Sequence, residues 1–152
     1  MRAQELMTPD PACCTPNDTL EQAARTMLEH DCGALLVCES GNTGKVLGVV
    51  TDRDLAVRGL ARGKGAASSV ADCMTSDVHA CRPDSSAEEI EATMARHQVR
   101  RVPVIDADGR LVGIVAQADL ALCEDPDVSE EDVAHVIEAV SRPTRITPAQ
   151  GD

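Results

Sequence analysis

Apolar positions along the chain follow helical spacing in some stretches and run consecutively in others. From residue 20 they recur at i, i+3, i+4, i+7 and i+8, which predicts an amphipathic helix, the positions being Leu20, Ala23, Ala24, Met27 and Leu28. The segment Asp18-Thr-Leu-Glu21 is typical of a helix start. Two short apolar runs follow, Ala34–Cys38 and Val46–Val50, which predict two strands joined by a turn at Gly41-Asn42.

The pattern occurs twice, because the chain contains an internal repeat. Met7-Thr8 recurs as Met74-Thr75, and the residues that follow keep the same spacing. In the second copy the expected helix starts at Ser85-Ser-Ala-Glu88. The remaining second-copy elements are strands at Val102–Ile105 and Leu111–Val115, a turn at Asp108-Gly109, and a helix from Gln117 that matches one from Asp52. A further short strand is expected early in each copy, over Ala12–Thr15 and Ala80–Arg82.

Each copy therefore reads as strand, helix, strand, strand, helix. Two copies are too few for a solenoid, so we expect a pseudo-symmetric pair in a mixed α/β (α+β) fold. The predicted boundaries are 1–67 for the first repeat with its lead-in and 68–123 for the second. Residues 124–152 are acidic and are expected to form a C-terminal helix and tail, since Val133, Val136, Ile137 and Val140 keep helical spacing before Pro143.

The amino-acid composition excludes several functions for this chain. The 152 residues include no Phe, Tyr or Trp, so neither a base-stacking platform nor an aromatic cage for a quaternary ammonium is available. The formal net charge of -12 repels phosphate backbones, so nucleic-acid binding is not expected. The longest apolar runs are too short to span a bilayer, so no membrane association is expected.

The seven cysteines favour a reducing compartment. An odd number cannot pair completely within one chain, and no apolar signal-peptide core follows the first residues, so we expect a cytoplasmic protein. Cys14 and Cys38 fall on strands expected to be parallel neighbours, and their pairing under oxidation is one possibility. Buried, reduced thiols are the other. No C-x-x-C spacing occurs, so no metal site is expected.

The segment from Leu47 to Leu55 passes from a strand into a helix through Thr51-Asp-Arg-Asp54. In one interpretation Thr51 caps the helix and Asp54 completes a capping box. In the other, the helix start and the Thr51 hydroxyl bind a phosphate while Asp54 accepts ribose hydroxyls. The second copy has Ala116 in place of the threonine and keeps the acid as Asp119, which hints at a role beyond capping.

Two arginines, Arg100 and Arg101, immediately precede the strand Val102–Ile105. They are either solvated at the strand end, paired with Asp106 or Asp108, or available to an anion such as a phosphate. The first copy has Gly33-Ala34 at this place, so a phosphate clamp would be asymmetric.

The doubled Gly-h-h-Thr-x-x-Asp pattern (h is apolar), together with Arg101-Val-Pro-Val-Ile-Asp106 and the Met-Thr that opens each copy, resembles the CBS domain family. The resemblance covers roughly residues 5–122. More narrowly, the segments Thr51–Leu55 and His97–Ile105 resemble stand-alone pairs of the hypoxic-response-protein type found in actinobacteria. It implies that the repeats pack as a CBS pair and bind AMP, ADP, ATP or S-adenosylmethionine in clefts between them, with no other cofactor required. The ligand-binding candidates are Thr51, Arg53, Asp54, Arg100, Arg101, Ala116 and Asp119.

We therefore expect a regulatory module that senses an adenosyl ligand and signals through dimer contacts or an unidentified effector protein. A twofold homodimer through the apolar helix faces is the simplest assembly. No nucleophile–base pair is visible, so an enzyme is not expected. The alternative is a redox- or stress-responsive structural protein with vestigial nucleotide sites. If a ligand binds, the cleft at Thr51 and Asp54 is expected to be the tighter one, completed by an arginine of the other repeat.

Overall fold

The computed structural model describes residues 1–40 and 44–121 and the single positions 131, 134, 137 and 138. A short helix α1 and strand β1 lead into the first repeat, which contains β2, α2, β3 and β4. Their bounds are α1 Ala3–Leu6, β1 Thr8–Pro9, β2 Cys13–Cys14, α2 Leu20–His30, β3 Ala34–Cys38 and β4 Val46–Thr51.

A helical segment then follows β4 without a break. It consists of α3 (Asp52–Asp54), a π-helical turn (Leu55–Gly59) and a 3-10 turn (Leu60–Arg62). The second repeat begins with a 3-10 turn, and its elements are Val70–Asp72, α4 Ala87–His97, β5 Arg101–Ile105, β6 Leu111–Ala116 and α5 Gln117–Ala121. The predicted mixed α+β fold of two repeats is confirmed.

Two three-stranded sheets carry the fold, in the orders β2-β3-β4 and β1-β6-β5. In the first sheet β2 is parallel to β3 and β4 is antiparallel to it. The strand predicted over 80–82 is reduced to one parallel bridge, in which the Cys81 N–H donates to Pro103 and the Cys81 carbonyl accepts from Ile105. Sheet pairing in the second repeat is therefore weaker on this side.

Helices α2 and α4 begin with complete capping boxes. Thr19 and Ser86 are the N-caps, and their partners three residues on are Gln22 and Glu89. The predicted helix start at Asp18 lies one residue early, because the Asp18 carboxylate instead accepts from the backbone N–H of Thr15. Leu20, Ala23 and Met27 are buried as predicted, whereas Leu28 is 81% exposed.

The segment that leads into each repeat, residues 3–9 for the first and 70–79 for the second, packs against the other repeat. Ala3 of α1 is fully buried in the core of the second repeat, and its N–H donates to Ser85 at 2.8 Å. Val70, just after the linker of residues 63–69, is fully buried in the core of the first repeat, and its N–H donates to Asp18 at 2.8 Å. Neither core is complete without residues from the opposite half of the chain.

The lead-ins also add to the opposite sheets. Strand β1 pairs with β6, and Thr75 forms an antiparallel bridge with Val49 of β4. Glycines allow these close approaches. A Cβ on Gly48 would lie 2.7 Å from the Thr75 carbonyl oxygen, and one on Gly113 would collide with the Met7 side chain.

A third apolar cluster lies between the two repeats. Leu36, Cys38 and Leu111 are its buried members, and the half-buried residues packed on it are Cys13, Val46, Val49 and Ile114. The cluster joins one face of the first sheet to strand β6 of the second. It forms the base of the space between the repeats.

No helix among the described residues is long and apolar enough to cross a membrane. Of the predicted C-terminal helix, positions 131, 134, 137 and 138 are helical. Its other positions, and the predicted turn at Gly41-Asn42, lie outside the described residues.

Candidate functional site

A cavity of about 980 Å³ opens between the repeats and is lined by both. The residues predicted to bind a ligand all reach it, although they come from opposite halves of the chain. These residues are Thr51, Arg53, Asp54, Arg100, Arg101, Ala116 and Asp119. The sequence interpretation of two clefts thus corresponds to one continuous space.

The capping box at the end of β4 is fully formed. The Thr51 hydroxyl accepts from the Asp54 N–H at 3.1 Å, and the Asp54 carboxylate accepts from the Thr51 N–H at 3.0 Å. Both side chains are half-buried. The structural interpretation of this motif is therefore correct, and any ligand contact must use the remaining hydroxyl proton and carboxylate lone pairs.

The second copy keeps half of this box. The Asp119 carboxylate accepts from the Ala116 N–H at 2.7 Å, although Ala116 has no side-chain oxygen to return the bond. This bond by itself explains the acid at position 119, so the inference that its retention hints at a ligand is not needed. The other oxygen differs between the copies. In Asp54 it lies 3.7 Å from the Arg58 Nε, and in Asp119 it has no partner among the described residues.

Gly33 and Arg100 occupy equivalent positions, and their backbones are held alike. The Gly33 carbonyl accepts from Asp52 and the Arg100 carbonyl from Gln117, both at 2.9 Å. A Cβ on Gly33 would lie 3.0 Å from an Asp52 carboxylate oxygen. The first repeat therefore has an acid beside a glycine where the second has an arginine and an uncharged amide.

The side chains of Arg100 and Arg101 are exposed and make no hydrogen bond or ion pair with any described residue. Asp106 is engaged in its own turn, where backbone N–H groups of Arg110 and Asp108 donate to it and lower its pKa. The interpretation that the two arginines pair with Asp106 or Asp108 is therefore wrong. They are solvated at the start of β5, on the edge of the cavity, where an anion can reach them.

The crossing lead-ins supply further lining residues of the cavity. The Thr75 hydroxyl accepts from Arg58 at 3.2 Å, next to the capping box of the first repeat. Farther along, the His79 ring stacks on that of His97 with centroids 3.4 Å apart, and His79 lies 3.5 Å from the Asp77 carboxylate. Nothing in the local sequence shows that this segment packs against the first repeat.

Cysteine placement corrects one prediction. Cys14 pairs with Val37 and both point into the core of the first repeat, where burial raises the pKa of Cys14 to about 12. Cys38, one residue after Val37, points into the cluster between the repeats. Side chains alternate along a strand, so the predicted pairing of Cys14 with Cys38 is wrong because the two lie on opposite faces of the sheet. The cysteine beside Cys38 is Cys13.

Comparison with known proteins gives the family. Residues 3–59 and 70–123 match the model of the CBS domain, one match for each repeat. The chain belongs to the CBS domain family. Over 120 residues this CBS pair is 40% identical to hypoxic response protein 1 of Mycobacterium tuberculosis, which covers 78% of this chain and 82% of that protein.

Two solved structures have the same fold as this CBS pair. One is hypoxic response protein I with two coordinated zinc ions, at 37% identity and a TM-score of 0.72, covering 80% of this chain and 97% of that one. The other is CBSX2 in complex with AMP, at 26% identity and a TM-score of 0.68, covering 78% and 91%. Among the described residues of this CBS pair, no group of three or more His, Cys, Asp or Glu side chains is placed to hold a metal ion.

Proposed function

We propose that this CBS pair is a regulatory module that binds one adenosyl ligand in the cavity between its repeats. One observation carries the proposal. Two aspartates fixed at equivalent helix starts and two arginines without a partner among the described residues line one cavity. The AMP found in the related CBSX2 structure supports an adenine nucleotide as the class of ligand.

Each residue has a proposed role that follows from its free atoms. Asp54 and Asp119 each keep carboxylate lone pairs beyond the backbone bond, and these suit the hydroxyls of a ribose. Arg100 and Arg101 offer charged donors to a phosphate. Thr51 can donate its hydroxyl proton to the same group, since its oxygen is occupied only as an acceptor.

The charge of the lining favours a ligand with few negative charges. Three arginines and five aspartates border the cavity, the aspartates being Asp10, Asp52, Asp54, Asp77 and Asp119. A triphosphate would meet this excess of carboxylates, whereas AMP carries a single phosphate and S-adenosylmethionine carries a cation. Among AMP, ADP, ATP and S-adenosylmethionine, we therefore expect AMP or S-adenosylmethionine to bind most tightly.

The proposed output is a change in association. All of the proposed side-chain roles hold a ligand and none transforms it, so we expect binding without turnover. Leu28 and Leu60, 81% and 71% exposed on helical surfaces of the first repeat, suit burial against a second copy or an effector protein. The ligand would act by changing these contacts.

Isothermal titration of the full chain with the four ligands tests the proposal. We expect one binding event per chain, with AMP or S-adenosylmethionine ahead of ATP. Arg100→Ala is the matched variant for AMP, because it removes a charge without touching the capping box. If none of the four ligands binds, the proposal is wrong and the alternative of vestigial nucleotide sites is favoured.

A further inference from the structure

We propose that Cys13 and Cys38 form an oxidisable dithiol, a redox-modification site between the two repeats. The inference goes beyond the proposed function and does not depend on ligand binding. Cys13, and not Cys14, shares a face of the sheet with Cys38.

Strand register brings the two thiols together. Cys13 of β2 lies opposite Leu36 of β3 in parallel pairing, and Cys38 is two residues beyond Leu36 on the same face. Cys13 packs on the same apolar cluster that contains Cys38. The pairing of β3 with β4 also shifts register between Val37 and Cys38, a local irregularity at the buried partner.

The Cys13 and Cys38 thiols interact with each other. The interaction raises the pKa of Cys13 and lowers the pKa of Cys38. Cys13 also lies 3.1 Å from the Pro11 carbonyl, to which its thiol donates. Cys38 is fully buried while Cys13 is half-buried, so an oxidant reaches the pair from the side of Cys13.

The oxidation balances with a peroxide as the oxidant. The Cys38 sulfur, as its thiolate, attacks one oxygen of hydrogen peroxide and the O–O bond breaks. The departing hydroxide takes up the proton that Cys38 gave up, so a sulfenic acid on Cys38 and one water form. The Cys13 sulfur then attacks the Cys38 sulfur and displaces its hydroxyl, which takes up the Cys13 thiol proton and leaves as a second water. Two thiols have lost two electrons to the peroxide, and a disulfide has formed.

Three other thiols, those of Cys14, Cys32 and Cys81, serve as matched controls because they lie elsewhere in the fold. Cys14 faces the core of the first repeat and Cys81 the core of the second, where burial raises the pKa of Cys81 to about 11. Cys32 is half-buried and packs at the edge of the first core. None of the three shares the cluster between the repeats.

Peptide mapping of the full chain tests the site. The protein is treated with a small excess of hydrogen peroxide, blocked with an alkylating reagent and digested with trypsin, which yields peptides 3–25 and 26–45. These contain two cysteines each, so the link is assigned by tandem mass spectrometry and by variants. We expect the linked pair in the native chain, in Cys14→Ser and in Cys32→Ser, and its loss in Cys13→Ser and in Cys38→Ser.

Cys13→Ser keeps the test valid if Cys38→Ser does not fold, because Cys13 is the less buried of the two. Circular dichroism of each variant before oxidation identifies those that fold. The inference is overturned if the two peptides stay unlinked, if the link survives in folded Cys13→Ser, or if it disappears in folded Cys14→Ser.

Discussion

At the level of single residues, Asp54 and Asp119 make the same backbone hydrogen bond in different surroundings. Asp54 and Thr51 form a complete capping box, and Asp54 lies near Arg58. Asp119 is bonded to the backbone of Ala116, which has no side-chain oxygen, and no cation among the described residues lies beside it. The arginines are on the side of Asp119, because Arg100 precedes and Arg101 begins the strand that pairs with Ala116. The cavity is therefore complete only when both repeats contribute.

Asp54→Asn and Asp119→Asn are a matched pair of substitutions. Asparagine keeps an oxygen that can accept the backbone N–H, so the helix start is preserved while the charge is lost. A charged hydrogen bond contributes about 1.5–3 kcal/mol, so Asp54→Asn is expected to weaken AMP binding about tenfold or more. We expect only a modest effect of Asp119→Asn by titration calorimetry. Two equal sites, or loss of binding in Asp119→Asn alone, would contradict this.

Arg100→Ala and Arg101→Ala test the phosphate contact. Each substitution removes an exposed cation that has no partner in the described part of the chain, so the fold should not change. We expect AMP binding to weaken about tenfold, the loss of one charged hydrogen bond, while adenosine binds as before. Arg96→Ala, an exposed position on α4 that does not line the cavity, is the control. Equal losses for AMP and adenosine would show that the arginines do not contact a phosphate.

At the level of elements, the sequence predicts the strands well where an apolar run is bounded by turns. Strand β3 has the predicted bounds, and β4 and β6 each extend one residue further. Strand β2 has only two residues, Cys13 and Cys14, so no alternation pattern shows which one faces Cys38. Which of these two residues faces Cys38 depends on packing between the repeats. For this reason the predicted pairing names Cys14, although Cys13 is the residue on that face.

The crossing of the lead-ins could not be predicted for a similar reason. Ala3 and Val70 are small apolar residues, and the sequence around them does not indicate which of the two cores each one enters. The sequence does predict the candidate ligand residues, because the Thr-x-x-Asp motif and the two arginines each lie at a recognisable strand end. The lining from Thr75 to His79 reaches the cavity through long-range pairing, and nothing in its local sequence shows which repeat it contacts.

Gly48→Ala tests how tightly the second lead-in is held on β4. The new Cβ would meet the Thr75 carbonyl oxygen at 2.7 Å, and that oxygen accepts a 2.9 Å bond from Val49. Backbone cannot move aside as a side chain can, so we expect a loss of about 1–3 kcal/mol in the free energy of unfolding. Urea unfolding measures it, with Gly65→Ala as the control because no atom lies within 4 Å of its Cβ. Equal midpoints for the two variants would contradict the close approach.

At the level of the whole molecule, apolar side chains remain exposed on the helical surfaces of the first repeat. Leu28, Val57 and Leu60 are 81%, 48% and 71% exposed. A shallow groove lined by Leu20, Ala24 and Leu55 lies beside them. Together these surfaces are suited to contact with another protein, and a second copy is the simplest choice.

The double substitution of Leu28→Asp with Leu60→Asp tests this surface. Both side chains are mostly in solvent in the single chain, so the fold is expected to remain while a dimer through this face is lost. Light scattering should give a dimer for the native chain and 16.0 kDa for the variant. Asp108→Ala, in the turn between β5 and β6, is the control. A native chain that is already monomeric at micromolar concentration would refute the dimer.

The crossed lead-ins also bear on how such a chain could arise. A single repeat would keep its own α-helices and sheet but would lack the residues that close its core, since these come from the other half. It could complete itself only by exchanging lead-ins with a second identical chain, which is a domain swap. Duplication and fusion turn that exchange into an intramolecular one, and the tether replaces a dilute partner with one that is always present. Cutting the linker at Gly65 should therefore yield two fragments that remain associated.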